Sequence, residues 1–268
     1  MDVIQAILLG IIEGLTEFLP VSSTGHLIIA EDYLDFKDTA KIFTVVIQLG
    51  AILAVVWYYR SDLIKKIGGL FGGDKQSQRF LANLVIASIP AGLLGLALDK
   101  KFEEYAKPEV VAFALIVGAG VLWWADNREK KRLNVAKEQS NLDEISLKQA
   151  LFAGVAQCAA LIPGVSRSGA SIVGGLLGGM NRVTATAFSF YLAIPILGGA
   201  TLYKLATDRG ELDSVSGGGL SIIIGLITSF IVALIAISWL LKYVSTHSFR
   251  IFVYWRIALG LLVLALLV

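Results

Sequence analysis

The chain has 268 residues, 56% of them hydrophobic and only 16% charged, with a mean hydropathy of +0.74. Soluble domains carry roughly 25% charged residues, so the composition excludes an ordinary soluble domain and indicates an integral membrane protein. A net charge of +2 is too small for the basic surface that nucleic-acid binding requires.

The first apolar region, 3–30, is interrupted by Pro20-Val-Ser-Ser-Thr-Gly-His26. It has no basic lead-in and no Ala-x-Ala site, and it reads as mature protein rather than a cleaved signal. Apolar spans follow at 42–59 and 81–98, with a shorter one near 109–125. A second broken region, 149–180, contains Pro163-Gly-Val-Ser-Arg-Ser-Gly169, and further spans lie at 186–205, 219–241 and 251–268. A crossing helix takes about 20 residues, so the expected fold is all-α and polytopic, with about six transmembrane helices. Non-helical backbone at membrane depth survives only inside protein or beside a water-filled cavity. The two broken regions are therefore expected to be re-entrant helical hairpins. The lone Cys158, in an apolar run, reads as a small buried filler, and His247, among Lys242, Ser245 and Thr246, as interfacial.

Segment 60–80 carries Arg60, Lys65, Lys66, Lys75 and Arg79, and segment 126–148 carries Arg128, Lys130, Lys131, Arg132, Lys137 and Lys148. Segments 31–41, 99–109 and 206–218 hold fewer basic than acidic residues. The positive-inside rule makes the first two cytoplasmic and the other three external. That alternation works when 3–30 and 149–180 each return to the side they entered, and it leaves both termini outside. Arg182 marks a cytoplasmic helix start, and Trp57, Tyr58, Tyr59, Trp123 and Trp124 form an aromatic belt at cytoplasmic span ends.

The broken regions also match each other. Gln5-Ala6 aligns with Gln149-Ala150, Gly10 with Gly154, Val21-Ser22 with Val165-Ser166, and Gly25 with Gly169, at one constant offset. One residue further, Thr39-Ala40 aligns with Thr184-Ala185 and Phe43 with Phe188. The chain then reads as one membrane domain, 1–268, made of two repeats of about 1–125 and 145–268 joined by a linker at 126–148. Three crossings separate the copies, so the repeat is inverted and the hairpin tips meet near the midplane, as in many binding sites of secondary transporters. The copies differ chemically: Glu13 faces Gln157 in the alignment, Glu17 faces Leu161, Ser23 faces Arg167, Thr24 faces Ser168, and His26 faces Ala170.

Glu13 and Glu17 are four apart and share a helix face. Their repulsion in an apolar layer calls for a divalent cation, a proton or Arg167 between them. Oxygen donors suit Mg2+ or Ca2+. Ser22-Ser23-Thr24-Gly25-His26 places hydroxyls beside an imidazole that can act as a base. Arg167, in a Gly/Ser loop before an apolar segment, fits a phosphate clamp, or pairs with Glu13 or Glu17. Gln48 either orients a ligand or joins two helices. Carboxylates, cation, hydroxyl, histidine and arginine together fit phosphoryl transfer on a lipid phosphate. The rival is a transporter or flippase of polyprenyl phosphate lipids.

Glu13-Gly-Leu-Thr-Glu17-Phe-Leu-Pro-Val-Ser-Ser-Thr-Gly-His26 and Pro163-Gly-Val-Ser-Arg-Ser-Gly169 resemble the two signature motifs of bacterial undecaprenyl-diphosphate phosphatases, the bacitracin-resistance family. The resemblance runs through the whole chain and includes Val46-Ile47-Gln48-Leu49-Gly50. It implies hydrolysis of undecaprenyl diphosphate to undecaprenyl phosphate and inorganic phosphate. This recycles the lipid carrier of cell-wall synthesis at the outer face of the bacterial cytoplasmic membrane. It also implies a divalent cation, Mg2+ or Ca2+, and a homodimer. By the same resemblance Glu13 and Glu17 hold the metal or act as acid and base. Ser23, with Thr24 beside it, is nucleophile or phosphate ligand, and His26 moves the proton. Ser166 and Arg167 bind diphosphate, and Ser22, Gly164 and Ser168 of the same motifs join the substrate-binding set. The orientation has its own test: a Ser140→Cys thiol resists labelling from outside intact cells, and ready labelling would invert the topology.

Overall fold

A computed structural model describes residues 3–36, 41–103, 107–135, 141–207 and 218–267, and among these the chain forms eleven α-helices and no strand. The expected repeat match at Thr39-Ala40 and most of segment 206–218 lie outside the described residues. Helices α1 (Val3–Thr16) and α2 (Ser23–Tyr33) come first, then α3 (Ile42–Tyr58) and α4 (Arg60–Phe71). Then come α5 (Lys75–Glu103), α6 (Pro108–Val135), α7 (Leu147–Gln157) and α8 (Arg167–Leu177). Helices α9 (Arg182–Thr207), α10 (Gly218–Thr246) and α11 (Arg250–Leu267) complete the set. Four of them, α5, α6, α9 and α10, are long and apolar enough to cross a membrane, and α3 with α4 forms a fifth such unit bent by 71°. The protein is a multi-pass, all-α membrane protein.

Segment 60–80, expected to be a loop, is instead helix α4 and the start of α5. Leu63, Ile64 and Ile67 recur at helical spacing among Arg60, Asp62, Lys65 and Lys66, which makes an amphipathic surface helix. Lys66 is buried there by Asp62 at 3.3 Å, by Asp143, and by the Phe80 ring 4.5 Å away. Asn83 Nδ2 donates to the Ile145 carbonyl at 2.8 Å. These contacts place the two basic segments on one side of the molecule. Arg182, at the start of α9, joins that side through Asp126 at 2.6 Å and Glu129 at 3.0 Å on α6. Exposed Trp123 and Trp124 stand nearby, with Arg128 over the Trp124 ring.

Both broken regions fold back on themselves. Gln5 Nε2, on the entering helix α1, donates to the Leu34 carbonyl just past α2 at 2.9 Å. Phe36 packs edge-on against Phe43, so this hairpin leaves beside the start of α3, away from α4. In the second hairpin, Gly178 past α8 lies against Gln149 in the first turn of α7. That turn is fixed by a capping box: Ser146 Oγ accepts from the Gln149 amide and Gln149 Oε1 accepts from the Ser146 amide.

Small residues let these hairpins sit close to the long helices, as helix packing in lipid favours. Helix α1 packs on α10 through Gly10 and Gly14, and α7 packs on α5 through Gly154, which faces the backbone of Ala87. The loops are pinned by Arg256 of α11, only 1% exposed. Its Nε donates to the Leu115 carbonyl at 3.1 Å and its Nη1 to Pro20 at 3.3 Å. Its Nη2 reaches the carbonyls of Ala114, Gly164 and Val165 at 3.1, 3.4 and 3.0 Å. Gly118 of α6 leaves the space that this guanidinium fills.

A Cβ at Gly154 would meet the Ala87 backbone, and one at Gly118 would meet Arg256, whereas among the described residues nothing lies within 4 Å of a Cβ at Gly120. Gly154→Ala and Gly118→Ala therefore each destabilise by about 1–3 kcal/mol. Gly120→Ala holds or raises stability by about 0.5–1 kcal/mol. Thermal unfolding of the purified variants in one detergent measures the difference.

Candidate active site

The two hairpin tips touch. Residues after each break turn sharply and start a helix at the junction, α2 from one side and α8 from the other. Ser22 (φ 72°, ψ 100°) and Ser166 (φ 75°, ψ 116°) precede these helices with nearly the same backbone, unusual for residues other than glycine. Such strain is held only where surroundings over-determine it. Ser166 Oγ accepts from the Gly169 amide at 3.1 Å, and Ser168 Oγ donates to the Leu19 carbonyl of the opposite loop at 2.9 Å.

At the contact, Arg167 Nη2 lies 3.2 Å from Glu17 Oε1. Ser23 Oγ donates to Glu17 Oε2 at 2.8 Å. The guanidinium is held from behind by the Ser189 carbonyl of α9, which accepts from Nη1 at 2.8 Å, and lies over the Phe18 ring. Ser189 in turn meets Ser171 Oγ at 2.7 Å. Both glutamates are buried, Glu13 at 1% and Glu17 at 5% exposure. Among the described residues, Glu13 Oε1, Ser22 Oγ and Arg167 Nε are buried without a hydrogen-bond partner.

His26 stands apart from the ion pair. Its Nδ1 bonds the Ser22 carbonyl at 2.8 Å, and Trp255 of α11 donates to its Nε2 at 2.7 Å. The structure thus joins Ser23 to Glu17 rather than to His26. Thr24, at the first turn of α2, is exposed. Gly164 takes φ +94° and offers its carbonyl to Arg256, while Ser166 and Ser168 share a hydrogen bond of 3.1 Å within their loop. Gln48 Oε1 accepts from Thr201 at 3.4 Å, which ties α3 to α9 and lies outside the Glu17–Arg167 contacts.

Sequence reasoning missed three supporting residues. Arg256 is a cation within an apolar span, the signal that singled out Arg167, and that signal was available at 251–268. Trp255 lies within the apolar span 251–268 and carries no separate signal there. Ser189 acts through its backbone carbonyl, which no side-chain pattern reveals.

The arrangement can do four things. Arg167 can grip a phosphoryl oxygen while Ser189 keeps its plane fixed. Glu17 can take the Ser23 proton. The two hairpin helices aim their N-termini at the junction, a setting that favours an anion. The oxygen donors of Glu13 and Glu17, with one Glu13 oxygen unpartnered, suit a hard divalent cation that keeps water or substrate phosphate as its other ligands. Among the described residues no group of three or more His, Cys, Asp or Glu converges to enclose a metal.

The chain matches the family described as Bacitracin resistance protein BacA over residues 6–262. Undecaprenyl-diphosphatase 1 of Burkholderia cenocepacia (strain HI2424) is 49% identical over 262 residues, covering 97% of this chain and 94% of that protein. Undecaprenyl-diphosphatase of Nitrosomonas eutropha (strain DSM 101675 / C91 / Nm57) is 50% identical, over 97% of this chain and 93% of its own length. Undecaprenyl-diphosphatase 2 of Rhodospirillum rubrum is 49% identical, over 98% and 94%. With the two motifs joined through Arg167 and Glu17 and a match over nearly its whole length, the chain belongs to the bacitracin resistance protein BacA family.

Proposed function

We propose that this protein hydrolyses undecaprenyl diphosphate to undecaprenyl phosphate and inorganic phosphate in the bacterial cytoplasmic membrane, recycling the lipid carrier of cell-wall synthesis. The observation that carries the reading is the partly buried chain Ser23–Glu17–Arg167–Ser189 at the junction of the two tips. The relatives' printed name supports the substrate.

Arg167 binds the terminal phosphoryl group by exchanging its Glu17 bond for a phosphoryl oxygen, its Nη1 remaining on Ser189. Release of that bond frees Glu17 to accept the Ser23 proton. Attack by Ser23 Oγ or by water on the terminal phosphorus breaks its bond to the bridging oxygen, which leaves on the lipid monophosphate. If Ser23 attacks, water then cleaves the phosphoserine and restores the hydroxyl. His26 moves a proton of the attacking or leaving oxygen. As the alternative to acid–base work by Glu17, Glu13 and Glu17 would hold a Mg2+ or Ca2+ ion, which when bound would supply positive charge to the phosphoryl oxygens. Ser22, Thr24 and the loop of Gly164, Ser166 and Ser168 line the bound diphosphate.

The site opens to the external side, because the hairpin that carries Glu13 and Glu17 returns to the face opposite the basic segments. The two halves form an inverted repeat. In support, α1 packs on α10 as α7 packs on α5, and α2 meets α11 as α8 meets α6. The rival reading is flipping of polyprenyl phosphate lipids, and tip-to-tip hairpins favour it as architecture. The Ser23–Glu17 bond favours hydrolysis, since moving a lipid needs no hydroxyl held on a carboxylate.

Purified protein in micelles releases phosphate from a polyprenyl diphosphate, and EDTA stops it. Arg167→Ala lowers kcat by about 10²–10³-fold, the scale of losing a donor to transition-state charge. Near-normal turnover in Arg167→Ala, with altered lipid movement between leaflets, would favour the flippase. Trapping of a phosphoserine at Ser23 assigns the nucleophile, whereas substantial activity in Ser23→Ala assigns attack to water.

A further inference from the structure

The imidazole of His26 and the indole of Trp255 lie parallel, 8° apart in plane with centroids 5.9 Å apart. Trp255 Nε1 is 2.7 Å from His26 Nε2, and His26 Nδ1 is 2.8 Å from the Ser22 carbonyl oxygen. An indole nitrogen only donates and a carbonyl oxygen only accepts. The two bonds are satisfied together by one state of the ring: neutral, with the proton on Nδ1 and the lone pair on Nε2. Trp255 is 54% exposed on the outer side of α11. In an apolar layer an indole N–H finds few acceptors, and a low dielectric strengthens the bond it does make.

We propose that Trp255 is a positioning residue that selects the Nδ1–H tautomer of His26 and reserves Nε2 as the proton-accepting nitrogen. The inference rests on the reading of His26 as the residue that moves a proton in phosphate release. The Ser23 hydroxyl already donates to Glu17, so the O–H served by His26 is that of water. In the reacting complex this O–H replaces the indole N–H at Nε2, one donor exchanged for another. The ring need not turn, because the Ser22 carbonyl holds its other nitrogen. As the water oxygen forms its bond to phosphorus, its proton passes to Nε2. The electron pair of the cleaved P–O bond leaves on the lipid phosphate, or on Ser23 when a phosphoserine is being cleaved. The imidazolium then returns its proton to the departing group.

The chain has two histidines, so His247→Asn leaves one imidazole to observe. In that background, ¹⁵N-labelled protein in micelles, at a pH where the ring is neutral, shows a protonated Nδ1 and a bare Nε2. Adding Trp255→Phe keeps an apolar ring, removes the donor and lets the Nε2–H tautomer appear. The same change lowers kcat by about 10-fold, the lower end of the loss seen when the partner that orients a metal-bound histidine is removed, and leaves KM unchanged. An Nε2–H ring in the parent protein, or no tautomer change in the folded Trp255→Phe variant, overturns the proposal. Should that variant fail to fold, Trp255→Leu in the same background is read in the same way, with the same overturning result. Full turnover in His26→Ala overturns the underlying reading of His26, and it does so independently of the spectra.

Discussion

A helix broken inside an apolar layer leaves carbonyl groups that neither water nor a continuing helix can satisfy. Here a single guanidinium meets that demand for both breaks. Arg256 donates to Pro20 in one loop, to Gly164 and Val165 in the other, and to Ala114 and Leu115 of α6 between them. It forms no ion pair among the described residues, so carbonyl dipoles alone offset the cost of burying its charge. Since one rigid plane grips both loops, it also sets their separation. The 3.2 Å contact between Glu17 and Arg167 is made across that same separation. The ion pair is thus positioned by a residue that belongs to neither motif.

The site's charge follows from this geometry. Two buried carboxylates face one guanidinium, and the guanidinium is matched to Glu17. Glu13 keeps an oxygen with no partner among the described residues. A diphosphate brings more negative charge to the same junction, where Coulomb interactions are only partly screened. In the proposed reaction, binding would call for a proton or a second positive charge on the Glu13 side. Under the proposed hydrolysis, Glu13 and Glu17 would hold a divalent cation that supplies such charge without another basic residue.

The hairpins and the meeting of their tips were legible because polar runs inside apolar regions are rare and costly. The pairing of Arg167 with a glutamate was legible for the same reason. Helix α4 was not, because a search for long apolar runs ignores a short amphipathic helix that packs by Lys66 and its acid partners. The roles of Gln48 and His26 could not be settled either: each depends on which neighbour is within 3.5 Å, and Thr201 and Trp255 lie 153 and 229 residues away in sequence. Backbone partners such as the Ser189 and Pro20 carbonyls carry no sequence signal at all.

Positions that align between the two hairpins in sequence differ in charge, which bears on why the proposed site would be single. Glu13 and Gln157 are each 1% exposed and each retains unpartnered polar atoms. The glutamine keeps the shape and hydrogen-bonding groups of the glutamate and removes its charge. Had both tips carried the acidic pair, four carboxylates would share one apolar junction, and a phosphate would be repelled from either side. Replacing Glu17 by Leu161 and Ser23 by Arg167 in the second tip removes that repulsion and supplies the matching cation. In the proposed site, this chemical difference between the two hairpins is what would let an anion bind at their junction.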